Sequence, residues 1–198
     1  MINYSEIFNE QGMDYQTYRA LVDQLLLEGK STSEASYDLH YTKMNVQRMN
    51  RVDKTVSLTD DLISTINQLK DNYKFLVITE GWCGDAAQII PVFNKIATAS
   101  LGRIDLKFVL RDKNLPLIDA HLTNGGRAIP VLIVLNESAD QVLATWAPRP
   151  QVLQDLLKEW KKETTEMPIL AEKLHGWYAK DKTQSTQEEL NDLLKGLL

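Results

Sequence analysis

The sequence has very little cysteine, since Cys83 is the only one in 198 residues. One cysteine excludes an intramolecular disulfide and is typical of a protein from a reducing compartment. Long apolar runs are also missing: the longest spans residues 129–135, whereas a membrane-spanning helix needs about 20 apolar residues. The first residues show no basic segment followed by an apolar one, so we expect no secretory signal. Together these absences predict a cytoplasmic protein.

An excess of positive charge is absent as well. Lys and Arg total 22 against 27 Asp and Glu, which gives a formal net charge of −5. Nucleic-acid binding relies on clustered basic charge, and binding to anionic lipid relies on a polybasic segment. We therefore expect neither nucleic acid nor membrane as a partner. The 43% of hydrophobic residues suffices for the core of one medium domain with helical additions.

The residues before 58 have the spacing of helices. Residues 14–30 place apolar side chains on one helix face. The segment Ser31–Glu34 fits a capping box, which predicts that a second helix begins there. A third helix is predicted over Leu58–Leu69, with Thr59 or Ser57 as its N-cap.

From residue 74 short apolar runs alternate with helical segments. Four runs predict strands: Phe75–Ile78, Ile104–Leu110, Val131–Leu135 and Gln141–Trp146. Three segments between and after them predict helices: Cys83–Leu101, Leu115–Leu122 and Pro150–Lys162. The βαβ unit implies parallel strands, and the closing hairpin adds antiparallel ones. This order predicts an α/β fold with a central mixed sheet flanked by helices. Residues 166–198 read as one or two further helices with a polar break at 181–187. Trp160, Trp177 and Tyr178 are expected to pack with the C-terminal helices.

Three local motifs accompany this order. Glu80-Gly81-Trp82-Cys83-Gly84-Asp85-Ala86 follows a buried strand and opens a helix, and Pro91 lies inside that helix. Arg127-Ala128-Ile129-Pro130 precedes the third strand, and Pro130 follows Cys83 by 47 residues. Together they resemble the thioredoxin family, with its Trp-Cys-Gly-Pro-Cys motif, its kinking proline and its cis-proline loop facing the cysteine.

The resemblance implies a thioredoxin-like fold with extra helices at both ends. It covers residues 58–163, which we take as the thioredoxin-like domain. Residues 1–57 are then an N-terminal helical extension and residues 164–198 a C-terminal helical segment. The aspartate after Cys-Gly and the N-terminal extension are similar to those of a group of bacterial thioredoxin-like proteins.

The position of Cys83 bears on its reactivity. A helix N-terminus presents free N–H groups and the positive end of the dipole, which favour a thiolate. Glu80 and Asp85 oppose this effect if they lie close. We expect the two influences to leave the pKa of the Cys83 thiol modestly lowered.

The motif departs from the family at two positions. Ala86 stands where dithiol thioredoxins carry the second cysteine, which releases the substrate from a mixed disulfide. Val77 stands where the family buries an aspartate that assists proton transfer. Both departures argue against an ordinary disulfide reductase.

The resemblance assigns the site residues. It makes Cys83 the catalytic residue and gives substrate-binding roles to five others: Trp82, Gly84, Asp85, Ile129 and Pro130. Some of these residues also have purely structural interpretations. Trp82 would equally well cover the domain surface. Asp85 fits a first-turn helix residue better than an acid–base group, and Arg127 fits a local salt bridge better than substrate binding.

The histidines offer little chemistry by their spacing. His40, His121 and His175 are scattered, and none has metal-ligand spacing with Cys83. We read them as surface or half-buried residues, with a Cys83–His121 pair as a remote alternative. We expect no bound metal and no cofactor.

Three functions remain open at the level of sequence. The first is monothiol redox chemistry, in which Cys83 forms a mixed disulfide with a protein or a low-molecular-weight thiol. The second is a non-catalytic interaction module, whose N-terminal helices could form a homodimer or partner surface. The third and weakest is metal or cluster ligation by one cysteine from each of two chains.

Overall fold

The computed structural model describes residues 2–33 and 38–198. Within these ranges the chain forms nine α-helices and four β-strands, and the strands make one mixed sheet.

The N-terminal region is helical, as predicted. The short helix α1 (Tyr4–Glu6) continues into a π-helical turn, and α2 follows over Tyr15–Leu27. Asp14 caps α2, because its carboxylate accepts the N–H of Thr17 at 2.7 Å. This satisfies one of the free N–H groups of the first turn.

Two further helices precede the sheet: α3 spans Asp38–Thr55 and α4 spans Asp60–Gln68. Thr59, one of the two predicted caps, accepts the N–H of Leu62 at 3.3 Å. Glu34 of the predicted capping box lies outside the described residues.

The sheet is the centre of the fold. Its strands are β1 (Tyr73–Thr79), β2 (Ile104–Leu110), β3 (Val131–Asn136) and β4 (Val142–Trp146). They lie in the order β2-β1-β3-β4, with β1 parallel to β2, β3 antiparallel to β1, and β4 antiparallel to β3. The central strands β1 and β3 are buried on both faces, which explains their unbroken apolar sequences.

Three helices flank the sheet: α5 (Gly84–Ala99), α6 (Leu115–Asp119) and α7 (Gln151–Glu163). Helix α5 connects the parallel strands β1 and β2 and contains Pro91. Helix α6 ends three residues earlier than predicted. The predicted α/β fold with a mixed sheet and extra terminal helices is confirmed.

The C-terminal region forms two helices, α8 (Met167–Asp181) and α9 (Gln184–Lys195). The polar break between them is confirmed and is only two residues long. Lys182 and Thr183 both have left-handed backbone conformations, with φ of 52° and 71°. Two such residues in succession reverse the chain sharply.

The core draws on all parts of the chain. Phe8 and Tyr18 from the N-terminal helices join the sheet residues, and so do Leu190 and Leu194 of α9. The division of the chain at 57/58 and 163/164 stays a prediction. Among the described residues, no helix has both the length and the apolar character needed to cross a membrane.

Candidate functional site around Cys83

Cys83 is the residue that caps α5. It has an extended backbone, with φ −78° and ψ 117°, immediately before the first helical residue. Its Sγ lies 3.5 Å from the N–H of Ala86, and its carbonyl accepts the N–H of Ala87 at 3.1 Å. The predicted position of Cys83 at the head of a helix is therefore confirmed.

The loop before β3 lies against this cysteine. The Cys83 thiol donates a hydrogen bond to the carbonyl of Ile129 at 3.3 Å, although 46 positions separate the two residues. The Ile129–Pro130 peptide bond is cis, and both residues are buried. The structure thus brings Cys83, Gly84, Asp85, Ile129 and Pro130 together.

Trp82, the residue before Cys83, is half-buried beneath Arg111. The Arg111 guanidinium is 4.7 Å from the centre of the indole ring. This is a cation–π contact at the end of β2. Trp82 therefore covers the region where β1 and β2 end, and it is held there by a charged neighbour.

The Cys83 thiol is 7% exposed, and this decides its acidity. Burial raises its pKa to about 12, and the charge of Asp85 acts in the same direction. The N–H of Ala86 and the guanidinium of Arg149 act the other way but do not compensate. The expected modest lowering of the pKa is therefore wrong, because loss of solvent outweighs the helix N-terminus.

Asp85 is held in a buried ion pair that sequence reasoning misses. Arg149 donates to both carboxylate oxygens, at 3.0 Å from Nε and 2.6 Å from Nη2. Tyr178 of α8 donates its hydroxyl to the same carboxylate at 2.6 Å. Asp85 is in the first turn of α5, as predicted, but these partners and not the helix dipole alone explain its burial.

The only sequence signal for this ion pair is weak. Arg149 stands between two prolines, Pro148 and Pro150, so its backbone has little freedom. Tyr178 is predicted to pack with the C-terminal helices, and it does so. Nothing in the sequence indicates that its hydroxyl meets Asp85.

His175, one turn before Tyr178 on α8, packs directly against Gly84. A Cβ atom at Gly84 would lie 2.7 Å from Cε1 and 2.8 Å from Nε2 of the imidazole. The ring also lies 3.3 Å from the side-chain amide of Gln88 through Nδ1. Burial lowers the pKa of His175 to about 4, and the nearby charge of Arg48 acts in the same direction. The ring is thus neutral at neutral pH.

Glu80, three residues before Cys83, is a buried carboxyl. One oxygen accepts the N–H of Asp112 at 2.9 Å. Burial raises the pKa of Glu80 to about 7. Of the two carboxylates expected to disfavour the Cys83 thiolate, Asp85 does so, because its charge raises the pKa of the thiol. Val77, at the position of the family's aspartate, is fully buried.

Two further expectations concern residues near the site. Arg127 forms a bidentate ion pair with Asp119 at 2.6 and 2.8 Å, so the predicted local salt bridge is confirmed. His121 lies 2.8 Å from the hydroxyl of Tyr4 through Nε2. Its described hydrogen-bond partner is thus on α1.

The sheet order and a cysteine at the head of α5 define a thioredoxin-like protein. A family model described as Thioredoxin matches residues 31–161, about two thirds of the chain, and the chain belongs to this family. The match includes α3, which lies before the region of the predicted resemblance.

Two solved structures are similar over the whole chain. One is a 1.5 Å crystal structure of a protein of unknown function from Pseudomonas aeruginosa, with a TM-score of 0.65, 18% identity and 100% of each chain covered. The other is the crystal structure of an HIV epitope-scaffold, with a TM-score of 0.62, 17% identity, and 99% of this chain and 98% of that chain covered. At such identities the likeness concerns the fold alone. A search among curated proteins finds no match.

Proposed function

We propose that this protein carries out thiol–disulfide exchange through Cys83 alone. The observation that carries the proposal is the contact between Cys83, which caps a helix, and the loop that contains Pro130. The Cys83 thiol lies 3.3 Å from the carbonyl oxygen of Ile129, the residue before Pro130. A cysteine that caps a helix has N–H groups ready to stabilise a thiolate once the thiol is exposed. Arg149 adds a nearby positive charge that favours the same form.

The exchange needs two steps and one external thiol. The Cys83 thiolate attacks one sulfur of a disulfide, so that a mixed disulfide forms and the other half of the substrate leaves as a thiolate. An external thiolate then attacks the substrate sulfur of the mixed disulfide, which frees the Cys83 thiolate and completes a new disulfide. Ala86 has no sulfur for this second step. The substrate class is thus a protein or small-molecule disulfide, with a low-molecular-weight thiol from a reducing cytoplasm as the second reactant.

A non-catalytic interaction module is the second candidate, and the burial of the thiol favours it. A buried cysteine whose thiol has a pKa of about 12 holds almost no thiolate at neutral pH in this conformation. Ala86 and Val77 are also apolar where the family's dithiol cycle needs reactive groups. In this case the N-terminal helices would supply the surface for a second copy or another partner.

Reduction of insulin disulfides tests the first proposal. The wild type is assayed with and without added glutathione, and the mixed disulfide on Cys83 is measured by intact mass. We expect turnover only with glutathione, and none in Cys83→Ser. Absence of both turnover and mixed disulfide in the wild type would overturn the proposal. Partner binding that survives in Cys83→Ser would then favour the interaction module.

A further inference from the structure

Helix α8 lies across the first turn of α5, directly over the residues that follow Cys83. Two of its side chains make the contact, one turn apart. The His175 ring occupies the space beside Gly84, and the Tyr178 hydroxyl is 2.6 Å from Asp85. Cys83 itself precedes these two α5 residues and is 7% exposed. Tyr178 also lies close enough to Cys83 to interact with it electrostatically. Both α8 residues lie outside the region that the family model matches.

Helix α9 is attached to three other elements by side-chain hydrogen bonds. Gln187 bonds the N–H of Thr59 at 2.8 Å and the carbonyl of Ser57 at 3.0 Å. Glu189 accepts the indole N–H of Trp146 at 2.7 Å and also accepts the N–H of Gln151. These bonds reach the start of α4, the end of β4 and the start of α7, so α9 has three separate attachments.

Helix α8 has irregular connections at both ends, and its first turn is partly exposed. Residues 164–166 join it to α7 without regular structure, and the left-handed pair Lys182–Thr183 joins it to α9. Met167 and Ile169 in its first turn are 66% and 40% exposed. The buried side chains of α8 are Leu170, Leu174 and Tyr178. Irregular connections at both ends favour a local opening that separates these side chains from their neighbours.

We propose that α8 is a movable cover over Cys83, which opens as a unit while α9 stays docked and which the Tyr178–Asp85 hydrogen bond holds closed. This proposal rests on the proposed thiol–disulfide exchange. In the closed site a disulfide has no access to Cys83, and the opening of α8 provides that access. When α8 lifts, Tyr178 leaves Asp85 and His175 leaves Gly84, so the head of α5 faces solvent. Arg149 stays beside Asp85 and Cys83, because it belongs to the loop before α7.

Alkylation of Cys83 by iodoacetamide, measured by intact mass on the full chain from zero to moderate urea, tests the cover. A local opening exposes little surface, so its rate depends weakly on urea, whereas global unfolding depends on it steeply. We expect a nearly flat rate at low urea in the wild type. We expect Tyr178→Phe to raise that flat rate about tenfold. A wild-type rate that follows the steep slope of global unfolding from zero urea would overturn the proposal.

The chain offers a matched control. Tyr15 donates its hydroxyl to Asp53 at 2.9 Å, and Asp53 is paired with Arg19, so the same three residue types also meet between α2 and α3 without any residue of α8. Tyr15→Phe should leave the low-urea alkylation rate within about twofold of wild type. Equal acceleration by both variants would overturn the proposal, since it would mean that overall stability governs access.

Hydrogen exchange separates the cover from the chemistry of the thiol. In a Cys83→Ser background, Tyr178→Phe should speed exchange of α8 amides about tenfold and leave α9 amides unchanged. Simultaneous acceleration in both helices would contradict the cover. If α8 opens and Cys83 still forms no mixed disulfide, the cover stands and the proposed function fails. If the mixed disulfide forms while α8 exchanges no faster than α9, the function stands and the cover fails.

Discussion

The hydroxyl of Tyr178 donates to the carboxylate of Asp85 at 2.6 Å, although 93 positions separate the two residues. Arg149 pairs with the same carboxylate, so three distant segments meet at Asp85, two residues after Cys83. Tyr15, Asp53 and Arg19 form a second group of the same composition between α2 and α3. The two groups differ in burial: the Asp85 side chain is 9% exposed and that of Asp53 is 30% exposed.

Tyr178→Phe should lower the free energy of unfolding by about 2 kcal/mol, because hydrogen bonds to charged groups contribute about 1.5–3 kcal/mol. Tyr15→Phe should lower it by about 1 kcal/mol, since solvent reaches Asp53 and replaces part of the lost bond. Urea unfolding of both variants measures the difference. A larger loss in Tyr15→Phe would contradict this ranking.

Arg149→Met should lower the free energy of unfolding by about 3 kcal/mol, because it leaves the buried Asp85 carboxylate without its cation. Arg127→Met removes the other bidentate pair, whose two side chains are nearly half exposed. That variant should unfold at the same urea concentration as the wild type. Similar losses in the two variants would show that burial does not govern the strength of these pairs.

Gly84→Ala should destabilise the chain by about 1–3 kcal/mol, since the new methyl group would displace the His175 ring. His175→Ala in the same chain should recover most of that loss by removing the clash. Gly176→Ala on α8 is the control: no atom lies within 4 Å of its Cβ position, so the change should stabilise by about 0.5–1 kcal/mol. Thermal or urea unfolding of the three variants tests this, and a double variant no more stable than Gly84→Ala would speak against the clash.

Two groups, Glu80 and His175, should affect the pH dependence of the free energy of unfolding in opposite directions. Between about pH 5 and 6.5 the folded chain keeps Glu80 protonated, with a pKa of about 7, while the unfolded chain has lost that proton. Stability from Glu80 therefore falls as pH rises. The folded chain keeps His175 neutral, with a pKa of about 4, while the unfolded chain is protonated, so stability from His175 rises with pH. The two slopes nearly cancel in the wild type.

Single variants should separate these slopes. Glu80→Gln should make the free energy of unfolding rise by about 1 kcal/mol per pH unit between pH 5 and 6, and His175→Gln should make it fall by a similar amount. Urea unfolding at fixed ionic strength and several pH values measures both. Slopes of the same sign in the two variants would contradict the assigned protonation states.

The sequence predicts the sheet and the head of α5 because these depend on local patterns. The apolar run around Val77 and the segment from Gly84 to Ile96 each carry their own periodicity, and the Ile129-Pro130 pair marks the loop before β3. The acidity of Cys83 depends instead on what covers it. Among the residues around the site are Tyr178 and His175, which contact Asp85 and Gly84. The pattern of α8 indicates which of its faces is apolar but not where the helix docks. Long-range docking of this kind leaves no periodic signal.

The order of synthesis gives the position of α8 a further consequence. Tyr178 is 95 positions after Cys83, so at about 5–20 residues per second the ribosome reaches it on the order of 5–20 s later. For most of that interval no part of α8 exists, since the helix begins only at Met167. A nascent chain therefore leaves Cys83 open to oxidants and alkylating metabolites throughout, whereas the finished protein admits them only when α8 opens.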